Sequence, residues 1–141
     1  MAETHGREFI LEFIVRDSEL DAFGVVNHAN YFHYLEHARH RMFAELGFQA
    51  SDHFHGRTSL VVAQLEARYL KPLVSGDRFQ VRTTMDQVSR VKMIFRQRIL
   101  RLPEALLIFE AKVVAAAVSA DGKPLPLPDG LRESLMTYLE K

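Results

Sequence analysis

Residues 19–31 read "ELDAFGVVNHANY". Two acids, a glycine and a Val-Val pair precede Asn-His-Ala-Asn-Tyr. That composition is wrong for a plain strand and for a plain helix. The stretch is read as a loop that feeds a helix, with Asp21 near its start and His28 near its end.

The helix follows directly. From about Asn30 to Gly47 the apolar residues Tyr31, Leu35, Ala38, Met42 and Leu46 recur at helical spacing and form one stripe. Gly47 stands where a C-cap glycine would. Before the loop, "REFILEFIV" alternates and is rich in Phe and Ile, which predicts a first strand.

Beyond the helix lies a polar, His-containing loop, "QASDHFHGR", and then strand patterns. Thr58 and Ser59 open the second strand. In "QLEARYL", Leu65, Ala67 and Tyr69 alternate with Gln64, Glu66 and Arg68. Lys71-Pro72 ends that strand, and Ser75-Gly76-Asp77 predicts a turn. "RFQVRTTM" places Phe79, Val81, Thr83 and Met85 on one face. "RVKMIFRQRIL" places Val91, Met93, Phe95 and Ile99 on one face. "EALLIFEAKVVAAAVS" reads as a long, mostly buried strand closed by Asp121-Gly122. Alternate prolines in "KPLPLPD" suggest an extended, polyproline-like crossing. "GLRESLMTYLEK" reads as a short terminal helix, with Leu131, Leu135 and Leu139 four apart.

The expected architecture is α+β: one long helix on an antiparallel sheet of five strands, plus a short C-terminal helix. No repeat or linker divides the 141 residues, so 1–141 is read as one domain. A single helix leaves sheet edges and part of a face uncovered. A two-fold homo-oligomer would cover them, a dimer or a tetramer built as a dimer of dimers.

Composition narrows the function. Acidic and basic residues number 18 each, so net charge points neither to nucleic acid nor to an anionic membrane. The chain has no cysteine, which excludes disulfides, a thiol nucleophile and thiolate metal sites. "MAETHGREF" lacks an apolar signal-peptide core, and "ALLIFEAKVVAAAV" is too short and too charged to span a bilayer. A cytoplasmic protein is expected.

The loop and the element order together resemble a known family. "RDSELDAFGVVNHANYFHYLEHAR" is similar to the motif of hotdog-fold acyl thioesterases of the 4-hydroxybenzoyl-CoA thioesterase type, roughly acid-x-Asp-x-x-Gly-x-Val-x-x-x-x-Tyr followed by a helix carrying Glu and Arg. The matching positions are Glu19, Asp21, Gly24, Val26, Tyr31, Glu36 and Arg39. "VRDSELDAFGVVN" and "LEARYLKPLVSGDRF" resemble the single-hotdog acyl-ACP thioesterases of plant plastids and their bacterial relatives. The similarity runs from about residue 8 to residue 120. Glu19 departs from the Asp of several relatives and keeps the charge. The resemblance implies a hotdog fold and hydrolysis of acyl-CoA or acyl carrier protein thioesters, with fatty acyl or 3-ketoacyl chains favoured by analogy. It implies no cofactor.

A thioester needs a carboxylate to attack or to deprotonate water, and donors for the developing oxyanion. The resemblance implies that Asp21 is the nucleophile or general base. Its alternative reading is a turn or capping acid. The resemblance implies that the N–H at His28, close to a helix N-terminus, is the oxyanion donor. The His28 imidazole is an alternative contact for the carbonyl. Candidate substrate-binding residues are Gly24, Val26, Asn27, Tyr31, Thr58, Ser59, Arg90 and Lys92. Gly24 serves through backbone geometry or close approach. Asn27 could instead cap the helix entry. Arg90 and Lys92, with Arg96 and Arg98, are read as a solvated sheet face or as a phosphate-binding edge.

Glu36 and Arg39 read as an i,i+3 ion pair, with Glu36 a reserve catalytic acid. His33, His37 and His40 read as an exposed face or subunit contact, and no metal site is expected. Asp52, His53 and His55 carry no ligand spacing. A hotdog hydratase or dehydratase using Asp21 and His28 for proton abstraction stands as a second function. A non-catalytic acyl-thioester binding protein stands as a third.

Overall fold

The computed structural model describes residues 7–47 and 58–140. The elements are β1 (Phe9–Ile14), α1 (Asn30–Glu45), β2 (Thr58–Tyr69), β3 (Arg78–Val88), β4 (Lys92–Arg101), β5 (Leu106–Ser119), β6 (Pro124–Leu125) and α2 (Asp129–Glu140). A single 3-10 turn, Asp17–Glu19, follows β1. All strand pairs are antiparallel, in the order β1-β3-β4-β5-β2. The α+β class and the helix-on-sheet arrangement are those the sequence predicts.

The long helix forms where its stripe demands it. Tyr31, Leu35, Ala38 and Met42 are all buried, and Leu46 is partly so. Leu35 and Met42 have no exposed surface. Burying each contributes about 1.5–3 kcal/mol. Gly47 ends the helix in the left-handed region, φ +87°, as a C-cap glycine does. The stripe packs on Phe79, Val81, Met85, Phe95, Ile99 and Phe109 of the sheet, while Leu131, Leu135 and Tyr138 of α2 close the same core.

Four details differ from the sequence reading. Val91 lies in the turn before β4 and is 49% exposed, so Met93 opens the inward face. That face then carries Gln97 at 0% exposure between Phe95 and Ile99. Arg39 turns into the core instead of pairing with Glu36: its Nη1 donates to Gln97 Oε1 at 2.9 Å, and Glu36 stays exposed. The "KPLPLPD" stretch is not wholly a crossing. Pro124 and Leu125 pair with Val118 and Ala117, and Leu127 N–H donates to the Arg90 carbonyl at 2.8 Å. Proline offers no donor, but the alternating leucines do, and β6 occupies an otherwise open stretch of the β5 edge.

β2 is an edge strand 12 residues long. A bulge between Val62 and Gln64 interrupts its register with β5. Val61 and Val62 are 39% and 48% exposed.

Candidate active site

The loop of residues 19–27 is a miniature antiparallel ribbon. Asn27 N–H donates to Glu19 O at 2.9 Å, Leu20 bridges Val26, and Asp21 N–H donates to Val25 O at 2.8 Å. Gly24 turns the tip at φ +82°, where an L side chain is strained. A Cβ on Gly24 would meet nothing within 4 Å, so backbone geometry and not close approach within the chain explains the glycine. Buried Val26 anchors the ribbon, its N–H donating to Leu73 O at 2.9 Å. The 3-10 turn is fastened by Arg16 N–H to Glu19 Oε1 at 2.8 Å, and Ser75 Oγ donates to Asp17 Oδ1.

Asp21 is partly exposed. Its Oδ1 accepts the Phe23 N–H at 2.8 Å, an Asx turn. The turn-acid reading is therefore realised in one oxygen. The other carboxylate oxygen has no hydrogen-bond partner among the described residues. The ribbon tip carries Phe23, 91% exposed, with Leu70, Val74 and Phe32 as further exposed apolar residues.

His28 stands at the far end of the ribbon, one residue before the Ala29 N-cap. Two peptide units flank its Cα and hold four polar groups. The Asn27 carbonyl accepts from Asn30 N–H at 2.9 Å. The His28 carbonyl accepts from the Tyr69 hydroxyl at 2.8 Å. The Ala29 N–H donates to Asn27 Oδ1 at 2.9 Å, an Asx turn just before the helix, whose N-cap is Ala29 and has no side-chain cap. The fourth group, the His28 N–H, donates to nothing among the described residues. Asn30 Nδ2 adds a bond to Glu19 O at 2.9 Å and ties the helix start to the arm that carries Asp21.

An aromatic cluster supports this entry. The Tyr31 ring stacks on Phe109 at 5.0 Å, and Tyr69 meets both edge-on at 5.2 and 4.8 Å. Burial pushes the Tyr31 phenol pKa up, a backbone hydrogen bond at Leu73 opposes this, and the nearby Tyr69 and Asp21 push it further up. Tyr34, one turn on, is buried with its hydroxyl outside hydrogen-bond geometry. Burial drives its pKa well above the usual tyrosine range, and the neighbouring Glu19 carboxylate adds to the rise.

Thr58, Ser59, Arg90 and Lys92 are not brought to Asp21 within one chain. Tyr69 pairs with Phe109 at one end of β5, while Thr58, Ser59 and Lys92 pair with Ser119, Val118 and Ala116 at the other. The separation is roughly 20–30 Å along the strand. Arg96 pairs with Asp86 at 3.1 Å and Arg98 with Glu8 at 2.9 Å, but Arg90 and Lys92 are in no ion pair among the described residues. His33, His37 and His40 are exposed, and no group of metal-ligating side chains forms among the described residues. Asp52, His53 and His55 lie outside the described residues. Sequence reasoning missed Asn30 and Tyr69, whose roles are hydrogen bonds to main-chain carbonyls that no spacing announces.

The profile of the thioesterase-like superfamily matches residues 15–135, which takes in the ribbon, α1 and strands β2 to β6. The chain belongs to the thioesterase-like superfamily. This thioesterase-like chain is 33% identical to the chloroplastic acyl-acyl carrier protein thioesterase ATL3 of Arabidopsis thaliana, over 93% of its own length and 69% of the plant protein's. It spans about two thirds of the length of the plant relatives it matches. It is 30% identical to the acyl-CoA thioester hydrolase YbgC of Escherichia coli O6:H1, over 80% of this chain and 84% of that one. A 1,4-dihydroxy-2-naphthoyl-CoA thioesterase from Synechocystis superposes with a TM-score of 0.86 at 20% identity, covering 92% and 96% of the two chains. That likeness shows the hotdog fold.

Proposed function

We propose that this chain hydrolyses acyl-CoA or acyl carrier protein thioesters to free acid and thiol. The observation that carries the reading is the pairing, on one short ribbon, of a carboxylate with one free oxygen and an uncommitted N–H at a helix entry. The thioester carbon would meet Asp21, and its oxygen the His28 N–H. By one route the Asp21 carboxylate attacks, expels thiolate and forms a mixed anhydride that water hydrolyses. By the other, Asp21 takes a proton from the attacking water. In both, negative charge gathers on the carbonyl oxygen, where a preorganised N–H donor is worth most. The plant relatives are acyl-acyl carrier protein thioesterases, which supports a carrier-protein thioester; fatty acyl or 3-ketoacyl chains are favoured by analogy alone.

The open β2 edge supports a homodimer. Antiparallel pairing of two β2 strands about a two-fold axis exchanges their ends. Thr58, Ser59, Arg90 and Lys92 of one subunit would then approach the Asp21 ribbon of the other, where cations suit the phosphates of CoA or phosphopantetheine. A tetramer would be two such dimers.

Asp21→Asn tests the assignment. Asparagine keeps the Oδ1 acceptor of the Asx turn and removes the charge. Free-thiol release from the best substrate of a CoA and carrier-protein thioester panel should fall by about 10²–10⁴-fold. Wild-type turnover by the variant would refute the role of Asp21.

A further inference from the structure

The bond from the Tyr69 hydroxyl to the His28 carbonyl, 2.8 Å long, crosses 41 residues of sequence and joins the end of the edge strand β2 to the entry of α1. We propose that Tyr69 is a positioning residue for the oxyanion-binding amide: by holding the His28 carbonyl, its hydroxyl fixes the direction in which the His28 N–H points. The inference rests on the assignment of that N–H to the thioester oxygen.

Three features carry it. The first is the shortage of local support. The N-cap residue is Ala29, which has no capping side chain. Without Tyr69, the peptide between His28 and Ala29 is held at one point, the Ala29 N–H on Asn27 Oδ1. Its plane is then free to tilt, and His28 follows. A donor aimed at a reacting oxygen must be kept within about 10–20° of its productive direction.

The second is the rigidity of the donor. The Tyr69 ring lies edge-on to both Tyr31 and Phe109. The phenol oxygen is thus placed by core aromatics and is not a free rotor. Burial holds the phenol pKa above its ordinary value, so the group remains a donor through mildly alkaline pH.

The third is economy of role. Tyr69 is 48% exposed at the end of its strand. Phenylalanine would keep both ring contacts there. What the hydroxyl adds is the bond to His28.

The test compares Tyr69→Phe with wild type on the best substrate of the thioester panel, reading free thiol. The expected result is a fall in kcat of about 10- to 100-fold, the range for a misplaced catalytic group. KM should stay within about twofold, because ground-state contacts are kept. Amide exchange at Ala29, whose N–H is bonded to Asn27 Oδ1 on the peptide that Tyr69 holds, should quicken in the folded protein. Wild-type kcat, or a change confined to KM, overturns the proposal. Asp21→Asn is assayed alongside. An inactive D21N with a fully active Y69F overturns the Tyr69 role alone, and an active D21N overturns the site assignment together with it.

Discussion

Arg39 on the long helix and Gln97 on β4 are hydrogen-bonded to each other inside the protein, Nη1 to Oε1 at 2.9 Å. Gln97 spends its amide nitrogen on the Leu35 carbonyl at 3.0 Å and on Thr83 Oγ1 at 2.9 Å. Both Gln97 and Thr83 are fully buried, and Arg39 is 8% exposed. The guanidinium also lies over the Phe95 ring at 5.9 Å. Desolvation lowers the Arg39 pKa, partly countered by Glu36. No carboxylate among the described residues forms an ion pair with it, so Gln97 is its principal anchor there.

Gln97→Leu therefore leaves a buried guanidinium short of its acceptor. The expected loss is about 2–4 kcal/mol in urea unfolding. The double variant Arg39→Met with Gln97→Leu removes both polar partners and should recover most of that loss. A double variant no more stable than Q97L would show that the network does more than satisfy itself.

Tyr34 sets an alkaline limit on stability. Its folded pKa is raised by burial and by Glu19. The contribution is fully present below the unfolded value near pH 10 and is lost as pH climbs toward the folded pKa, because only the unfolded chain ionises in that window. Tyr31, Tyr69 and Tyr138 are shifted the same way, so all four tyrosines of the chain add to the slope. Stability measured by denaturant titration should be flat near neutrality and fall steeply above pH 10. Tyr34→Phe should reduce that slope by about one proton and cost little at pH 7, since the hydroxyl has no partner to lose. A Y34F slope equal to wild type would contradict the assignment.

The exposed valines of β2 test the expected dimer. Val62→Lys puts a charge on the open edge, a common device against strand pairing. Sedimentation should show a shift toward monomer, and thioester turnover should fall with it if the partner completes the site. A dimer of unchanged stability and activity would rule out β2 as the joining edge.

Much of the architecture was legible because it depends on short-range patterns. The 3.6-residue stripe from Tyr31 to Met42 and the alternation through Phe79, Val81, Thr83 and Met85 each reflect one buried face. Both were read correctly. Arg39 was misread for the same reason. Its nearest opposite charge in sequence is Glu36, and helical spacing pairs them. Its actual partner sits on a strand 58 residues away. The prolines of "KPLPLPD" hid the alternating donors of Leu125 and Leu127 in a similar way.

The same division runs through the site. The sequence alone determined that an acid precedes a glycine turn and a helix entry, since residue type, the left-handed tip at Gly24 and the apolar stripe are local properties. Only the tertiary structure decided which groups there are left unspent. The His28 N–H has no acceptor among the described residues, while Tyr69, Asn27 and Asn30 satisfy its neighbours. Tertiary structure also carried Thr58, Ser59, Arg90 and Lys92 to the far end of the sheet. The availability of a backbone donor is what remains after every other bond is made, and those bonds come from residues that folding alone brings together.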